Sequence, residues 1–178
     1  MSILLSILIS GIMITQSNNL QQKPSKDSYF PQLTAKTLAG SKINLPNDIK
    51  GKLTLLVLAF DDHGEYKEVS SQADTWTKFW EENLKQKGIG FYEIPMMSRK
   101  YIWVSWFING GMRGGIPKEK HGNVACFYGD KEKYLKLFGI TELKKAHVFL
   151  IDKDGKILMY QKGLATAPAT EKFKEMIK

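Results

Sequence analysis

The chain of 178 residues suits one domain with an ordinary hydrophobic core, and a composition of 43% hydrophobic and 25% charged residues indicates a globular protein and excludes a disordered one. Its formal net charge of +8 favours acidic partners or anionic lipid surfaces, whereas no motif accompanies the charge that would predict nucleic acid as a partner. A single cysteine, Cys126, excludes an internal disulfide and two-thiol chemistry within one chain.

The first residues have the composition of a signal peptide. Residues 3–14 form an apolar run that suits the hydrophobic region of such a peptide and is short for a membrane span. We therefore expect residues 1–17 to be a signal peptide or short anchor and residues 18–28 to be a polar linker, with a buried N-terminal helix or strand as the alternative. The expected location is periplasmic or otherwise extracytoplasmic, with membrane association as a further expectation.

The remaining residues, 29–178, form the predicted domain. Two short β-prone runs around Gly40 predict a hairpin, and the apolar run at 53–60 predicts a strand that is buried on both of its faces. A helix is predicted from Tyr66 to Lys87, because apolar residues recur there at spacings of three and four. Its predicted buried face is Val69, Ala73, Trp76, Phe79, Trp80 and Leu84.

The second half continues the alternation of strands and helices. A strand follows Gly88, and a helix is predicted from Ser98, as its N-cap, to the glycine pair at 110 and 111. The run 123–130 predicts a third strand, after which Asp130 caps a short helix. The segment 146–163 predicts a hairpin, and an amphipathic helix ends the chain. Right-handed crossovers then place helices on both faces of one sheet.

Several of these segments resemble the thioredoxin-like superfamily, and its redoxin branch in particular. They are the N-terminal hairpin, the stretch "DIKGKLTLLVLAF", and the hairpin "HVFLIDKDGKIL" with the helix that follows it. The resemblance covers residues 30–178. It implies an α/β protein, a thioredoxin-like α/β/α sandwich with a central mixed sheet and an N-terminal β-hairpin.

Two departures from the superfamily bear on function. Active relatives carry a cysteine in the turn after the central strand, where the amides of a helix N-terminus lower the thiol pKa. Here that turn reads "DDHGEYKE" and contains no cysteine. Active relatives also have a cis-proline whose backbone meets the substrate, and the matching position here is Ala146. The resemblance therefore implies a protein that has lost thioredoxin-type redox chemistry.

A narrower resemblance rests on four segments, "GMRGGIP", "FYGDKEKYLKLFGI", "VFLIDKDGKI" and "KGLATAPATEKFKEMI". Together they are similar to the thioredoxin-fold assembly factor family of the mitochondrial F-type ATP synthase and its bacterial relatives. That family is also poor in site cysteines. Its members act in assembly of the membrane sector, through association with the ion-channel subunit, so the resemblance implies a protein partner.

The turn after the central strand holds the first candidate site residues, Asp61, Asp62 and His63, followed by Glu65. Oxygen and imidazole groups are metal ligands, but residues so close in sequence seldom converge on one ion without a distant ligand. We therefore predict no metal and no cofactor. Asp62 is expected to cap the following helix, and a binding module for a small ligand or metal stays a competing hypothesis.

The second candidate surface lies in residues 99–117. Trp103, Trp106 and Phe107 recur at helical spacing, which favours the protein core, whereas an exposed apolar patch is the alternative. The four glycines of "GGMRGGIP" predict a flexible loop. The binding-surface residues proposed from this region are Trp106, Arg113, Ile116 and Pro117, and a plain connector is the alternative.

Cys126 is the one candidate for catalysis. It lies in the apolar strand "NVACFY", where free cysteine usually behaves as a small buried hydrophobe. The leading prediction is therefore a redox-inactive binding or assembly factor for a membrane complex, with a protein partner and an anionic membrane surface nearby. The alternative is a thiol-dependent oxidoreductase or peroxidase of the redoxin type that uses Cys126.

Overall fold

The computed structural model describes residues 28–62 and 67–177. The predicted signal peptide or anchor, the linker up to residue 27, and the candidate residue His63 lie outside the described residues. The strands are β1 (Leu33–Thr37), β2 (Lys42–Leu45), β3 (Thr54–Ala59), β4 (Gly90–Ser98), β5 (Ala125–Gly129), β6 (His147–Ile151) and β7 (Ile157–Lys162). The helices are α1 (Lys67–Asn83), α2 (Ser105–Gly115), α3 (Lys131–Phe138) and α4 (Ala167–Met176).

The strands form one seven-stranded mixed sheet in the order β2-β1-β5-β4-β3-β6-β7. The pairs β3–β4 and β4–β5 are parallel, and the other pairs are antiparallel. Helices α1 and α4 pack on one face, and α3 packs on the other. This arrangement confirms the predicted fold class, including the N-terminal hairpin β1–β2.

The central strand β3 is buried along its whole length, as its unbroken apolar run predicts. Leu56 and Leu58 point into the core beneath α3, whereas Leu55 and Val57 point into the core beneath α1 and α4. Because successive side chains of a strand alternate between the two faces, one apolar run supplies both cores. This strand delivers the chain to the turn at Asp61 and Asp62.

Helix α1 buries the face that its spacing predicts. The five apolar residues of that face within α1, and Leu84 directly after it, have at most 8% of their surface exposed. Its two tryptophans also find hydrogen-bond acceptors, since Trp76 Nε1 donates to the Gly163 carbonyl at 2.7 Å and Trp80 Nε1 donates to the Ile89 carbonyl at 2.7 Å. Truncating a buried tryptophan such as Trp76 to alanine would cost roughly 3–5 kcal/mol.

The predicted N-cap at Asp130 and the predicted turn between β6 and β7 are confirmed. The Asp130 carboxylate accepts a hydrogen bond from the Lys133 amide at the start of α3. In the β6–β7 turn, Asp152 Oδ1 accepts from the amides of Asp154 and Lys156, each at 2.8 Å. Gly155 completes that turn with a φ of +92°, a backbone conformation that favours glycine.

The segment after β4 differs from its prediction. The strand continues to Ser98, because Met96, Met97 and Ser98 pair with β5 in parallel. A 3-10 segment at Arg99–Val104 follows, and α2 begins only at Ser105. Ser98 therefore stands at the N-cap position of the 3-10 segment, without a side-chain capping hydrogen bond, and the α-helix itself begins seven residues later.

The glycine-rich stretch is also not a loop, since all four glycines lie within α2. Each glycine in a helix costs about 1 kcal/mol relative to alanine, so packing has to hold this helix together. Ile108, Met112 and Ile116 supply that packing against an apolar cluster on β4 and β5. Across residues 28–62 and 67–177, no helix is both long and apolar enough to cross a bilayer.

Candidate functional site

The turn after β3 is closed by an ion pair. The Asp62 carboxylate accepts hydrogen bonds from the Ser98 amide at 2.9 Å and the Ser98 hydroxyl at 2.7 Å. Its Oδ2 also lies 2.8 Å from the Lys131 ammonium. Burial alone would raise the pKa of Asp62, but the hydrogen bonds from Lys131 and Ser98 outweigh it and hold the pKa below its ordinary value.

The carboxylate of Asp62 thereby joins the ends of β3 and β4 to the first residue of α3. The expectation that Asp62 caps helix α1 stays a prediction, because residues 63–66, which precede that helix, lie outside the described residues. Asp61, the neighbouring candidate, is partly buried and lines a groove described below. Within the described ranges, no group of three or more His, Cys, Asp or Glu side chains is placed to hold a metal ion.

Ala146, at the position that matches the cis-proline of active relatives, is fully buried. Its amide donates to Gln72 Oε1 at 3.0 Å, and its carbonyl accepts from the Gly163 amide at 2.9 Å. Both backbone groups are therefore used inside the domain. Ala146 offers no exposed backbone to a partner, and the sequence proposal of Ala146 as a binding surface is corrected here.

The thiol of Cys126 is enclosed between β5 and α2. Only 2% of the residue surface is exposed, and Sγ lies 3.8 Å from Met112 Sδ. Burial, followed by the charge of Glu93, raises the pKa of the thiol to about 12, although Arg113 acts in the opposite direction. The thiol therefore stays protonated at neutral pH, which is the opposite of what a catalytic cysteine needs.

Five large apolar side chains are exposed at the end of the 3-10 segment and in the first turn of α2. We call this group the aromatic surface: Ile102, Trp103, Val104, Trp106 and Phe107. Trp103 is 85% exposed, Trp106 is 74% exposed, and the rings of Trp106 and Phe107 lie 5.9 Å apart. The favoured sequence interpretation, that these aromatic residues belong to the core, is wrong. The inward face of α2 is formed instead by Ile108, Met112 and Ile116, which follow one another at a spacing of four.

The other candidates of this region lie apart from Trp106. Arg113 donates from Nε to the Leu38 carbonyl at 2.8 Å, which ties α2 to the β1–β2 hairpin. Ile116 is half-buried beneath α2, and together with Pro117 it lines a cavity between α1 and α2. Trp106 lies outside that cavity, so the four candidates do not form one continuous surface.

A groove runs between α1 and α2 over strands β4 and β5. It consists of a cavity of about 400 Å³ and a second cavity of about 490 Å³, and both are lined by Ser70, Glu93 and Met112. Burial, followed by the charge of Asp74, raises the pKa of Glu93 to about 7, against the effects of Thr77 and Lys120. Hence this carboxyl titrates near neutral pH.

The sequence analysis did not identify Glu93. One signal was available, because Glu93 lies between Phe91 and Pro95 on alternate positions of a strand that is otherwise apolar on that face. A charged residue at an inward position of a buried strand is uncommon unless it is paired or functional.

Comparison with protein families shows to which family the chain belongs. Residues 13–178 match the family described as ATP10 protein. The chain belongs to the ATP10 family. These proteins are thioredoxin-fold assembly factors of the ATP synthase, as the narrower sequence resemblance predicted. No curated protein gave a significant match to the sequence.

Solved structures support the fold of this ATP10-family chain. Yeast Sco1 superposes with a TM-score of 0.59 at 10% identity, covering 86% of this chain and 97% of Sco1. BsSco, a member of the Sco family of cytochrome c oxidase assembly proteins, gives 0.57 at 16% identity, covering 88% and 96%. The thioredoxin domain of a thiol-disulfide oxidoreductase from Bacteroides vulgatus gives 0.55 at 20% identity, covering 86% and 99%. Identities this low establish the thioredoxin-like fold alone.

Proposed function

We propose that this chain is a thiol-independent assembly factor of the F-type ATP synthase that binds a protein subunit of the membrane sector. Membership of the ATP10 family supports the assembly role. The observation that carries the binding role is the aromatic surface, where Trp103, Trp106 and Phe107 are each at least 69% exposed. Contiguous exposed apolar residues on a soluble domain mark contact sites, and tryptophan contributes strongly to binding energy.

The chemistry of Cys126 supports binding over redox turnover. Its thiol is buried, and its raised pKa keeps it protonated. The turn after β3, where active relatives carry their cysteine, has Asp61 and Asp62 in the described part and is tied to α3 by Lys131. The alternative of an oxidoreductase or peroxidase that uses Cys126 has no comparable support.

The proposed site of action is extracytoplasmic and close to the membrane. The net charge of +8 would draw the domain towards anionic lipid headgroups. Arg99 and Lys100, both exposed, lie just before the aromatic surface in the sequence, separated from Ile102 only by Tyr101. Basic residues in this position would favour an approach that presents the aromatic surface to the membrane complex.

Photo-crosslinking tests the proposal. Benzoylphenylalanine at position 106 is compared with the same group at position 137, because Leu137 is 47% exposed but lies on α3, on the opposite face of the sheet. In membranes that are assembling ATP synthase, position 106 should crosslink to a subunit of the membrane sector, and position 137 should not. Crosslinking of both positions to the same proteins, or of neither to the synthase, would contradict the proposal.

A further inference from the structure

The groove between α1 and α2 has apolar walls along most of its length. Around its first cavity the walls include Trp80, Phe91 and Ile116, and around its second they include Val104 and Ile108. Met112 belongs to both. Because Val104 is also part of the aromatic surface, the groove opens directly onto that surface.

The polar groups of the groove are mainly acidic. Glu93 lies on the floor where the two cavities meet, and Asp74 and Glu81 lie on α1 along the first cavity. Lys120 forms a salt bridge with Glu81 at 2.8 Å. In residues 28–62 and 67–177, no lysine, arginine or histidine forms a salt bridge with Glu93 or Asp74.

The negative charge of the acidic groups in the groove is opposite in sign to the net charge of the whole chain, which is +8. A half-buried carboxylate among apolar walls lacks part of its hydration, so a bound cation stabilises it more than it would stabilise an exposed carboxylate. A lysine or arginine side chain matches both features, since its aliphatic stem packs on apolar walls while its charged end reaches an acid. The groove is therefore complementary to a basic side chain within an apolar segment.

We propose that this groove binds a lysine or arginine side chain of an apolar polypeptide segment, with the cation against Glu93 and the rest of the segment extending over the aromatic surface. The identification of that segment with part of the partner subunit rests on the proposed function. The binding chemistry itself rests on the groove alone.

The affinity of such a segment should depend on pH. Burial, followed by the charge of Asp74, raises the pKa of Glu93 to about 7, while Thr77 and Lys120 lower it. Of the other groups around it, Glu81 is paired with Lys120 and Asp62 with Lys131. Asp61 lines the second cavity, the Cys126 thiol beneath α2 stays protonated, and Arg113 donates to the Leu38 carbonyl. A cation binds the ionised form of Glu93, so affinity should rise by about tenfold from pH 6 to pH 8.

The test uses two synthetic nonapeptides of leucine and alanine, with lysine at the centre of one and norleucine at the centre of the other. Norleucine has the same four-carbon length without the amine. Binding to the full chain is followed by backbone amide shifts in NMR spectra. At pH 8 the lysine peptide should bind about tenfold more tightly and shift the amides of Glu93, Asn123 and Val124.

Two variants separate the groove from general electrostatics. Glu93→Gln should abolish the preference for lysine, whereas Glu82→Gln, on the exposed side of α1, should preserve it. Equal affinity for the two peptides, including no measurable binding of either, or a preference that survives Glu93→Gln, would overturn the inference. A lysine preference without crosslinking at position 106 would retain the groove chemistry and refute the proposed partner.

Discussion

The carboxylate of Asp62 lies 2.8 Å from the ammonium of Lys131, so the turn after the central strand is closed by a salt bridge. In the active relatives that the sequence resembles, this turn carries a reactive cysteine. Only 9% of the Lys131 side chain and 18% of the Asp62 side chain are exposed, so both charges depend on each other and on Ser98. The turn therefore connects β3, β4 and α3 through the contacts of Asp62.

Removal of Asp62 should destabilise the domain. Asp62→Ala leaves the Lys131 charge nearly buried without its partner, and we expect a loss of about 2–4 kcal/mol in the free energy of unfolding. The double variant Asp62→Asn with Lys131→Met should recover part of this loss, because neither charge then remains. Urea unfolding measures the free energy of unfolding of the single and the double variant. Equal stability of Asp62→Ala and the native chain would show that the pair contributes nothing.

The same pair predicts a loss of stability in acid. Because the folded pKa of Asp62 lies below its ordinary value of 3.8, the contribution is fully present above that pH and is lost as the pH falls through the lower, folded pKa. The Asp62→Asn variant should lose this part of the acid dependence. Unfolding free energies of the two proteins should therefore converge below pH 3.8.

Cys126 should react with thiol reagents only when the protein unfolds, because the thiol is buried and its pKa is raised to about 12. Labelling at pH 7 should be slow in the native chain and fast in denaturant. Cys126→Ala should lose about 1–2 kcal/mol of stability through the small cavity beside Met112, without loss of assembly function. Rapid labelling of the folded protein would contradict the structural role assigned to this thiol.

His147 should remain neutral in the folded protein. Since a carbonyl can only accept, Nε2 donates to the Glu142 carbonyl at 3.0 Å, and Nδ1 therefore accepts from the Tyr160 hydroxyl at 2.7 Å. Burial lowers the pKa of His147 from 6.5 to about 4, although the hydrogen bond to Glu142 opposes this. The unfolded chain then binds the proton first as the pH falls.

Stability should accordingly decrease between pH 6.5 and about pH 4, by up to roughly 3 kcal/mol in total, and this part should not change further below that range. His147→Gln should be less stable at pH 8, through lost packing against Phe60 and Tyr160, but should show a weaker decrease with acid. NMR titration of the imidazole gives the direct measurement. A midpoint near 6.5 in the folded protein would contradict this account.

The raised pKa of Glu93 should make stability depend on pH in the opposite direction to that of His147. The pKa of Glu93 is raised from 4.5 to about 7, so the folded state retains the proton while the unfolded chain releases it. Stability should therefore fall as the pH rises from 4.5 to about 7. Glu93→Gln should remove this decrease and be more stable than the native chain at pH 8, by about 1–3 kcal/mol. Parallel curves for the two proteins would contradict the burial of this carboxyl.

Much of the fold could be predicted because local pattern and tertiary packing agree. The apolar run of β3, the buried face of α1 and the turn at Asp152 each contain their own signal, as periodicity or as turn chemistry. The segment before and within α2 contains conflicting signals. Tryptophans favour burial and glycines favour loops, yet the structure exposes Trp103 and places Gly110 in a helix.

The groove could not be predicted from the sequence, because its acidic floor depends on three separate elements. Whether Glu93 is covered is decided by how α1 and α2 flank strand β4, and the placement of α2 follows from the packing of Met112 against Cys126. The alternation of β4 shows only that Glu93 shares a face with Phe91. The pattern of β4 marks Glu93 as an unusual inward charge, but the groove around it is formed by residues far apart in sequence, which periodicity within one element does not reveal.

The most direct test of the central claim compares two variants in cells for the amount of assembled ATP synthase. One is Cys126→Ala, and the other replaces Trp103, Trp106 and Phe107 of the aromatic surface by serine. Both folded variants should be present at native levels, with assembly unchanged in the first and strongly reduced in the second. Loss of assembly in Cys126→Ala with full assembly in the surface variant would contradict a thiol-independent factor that acts through this surface.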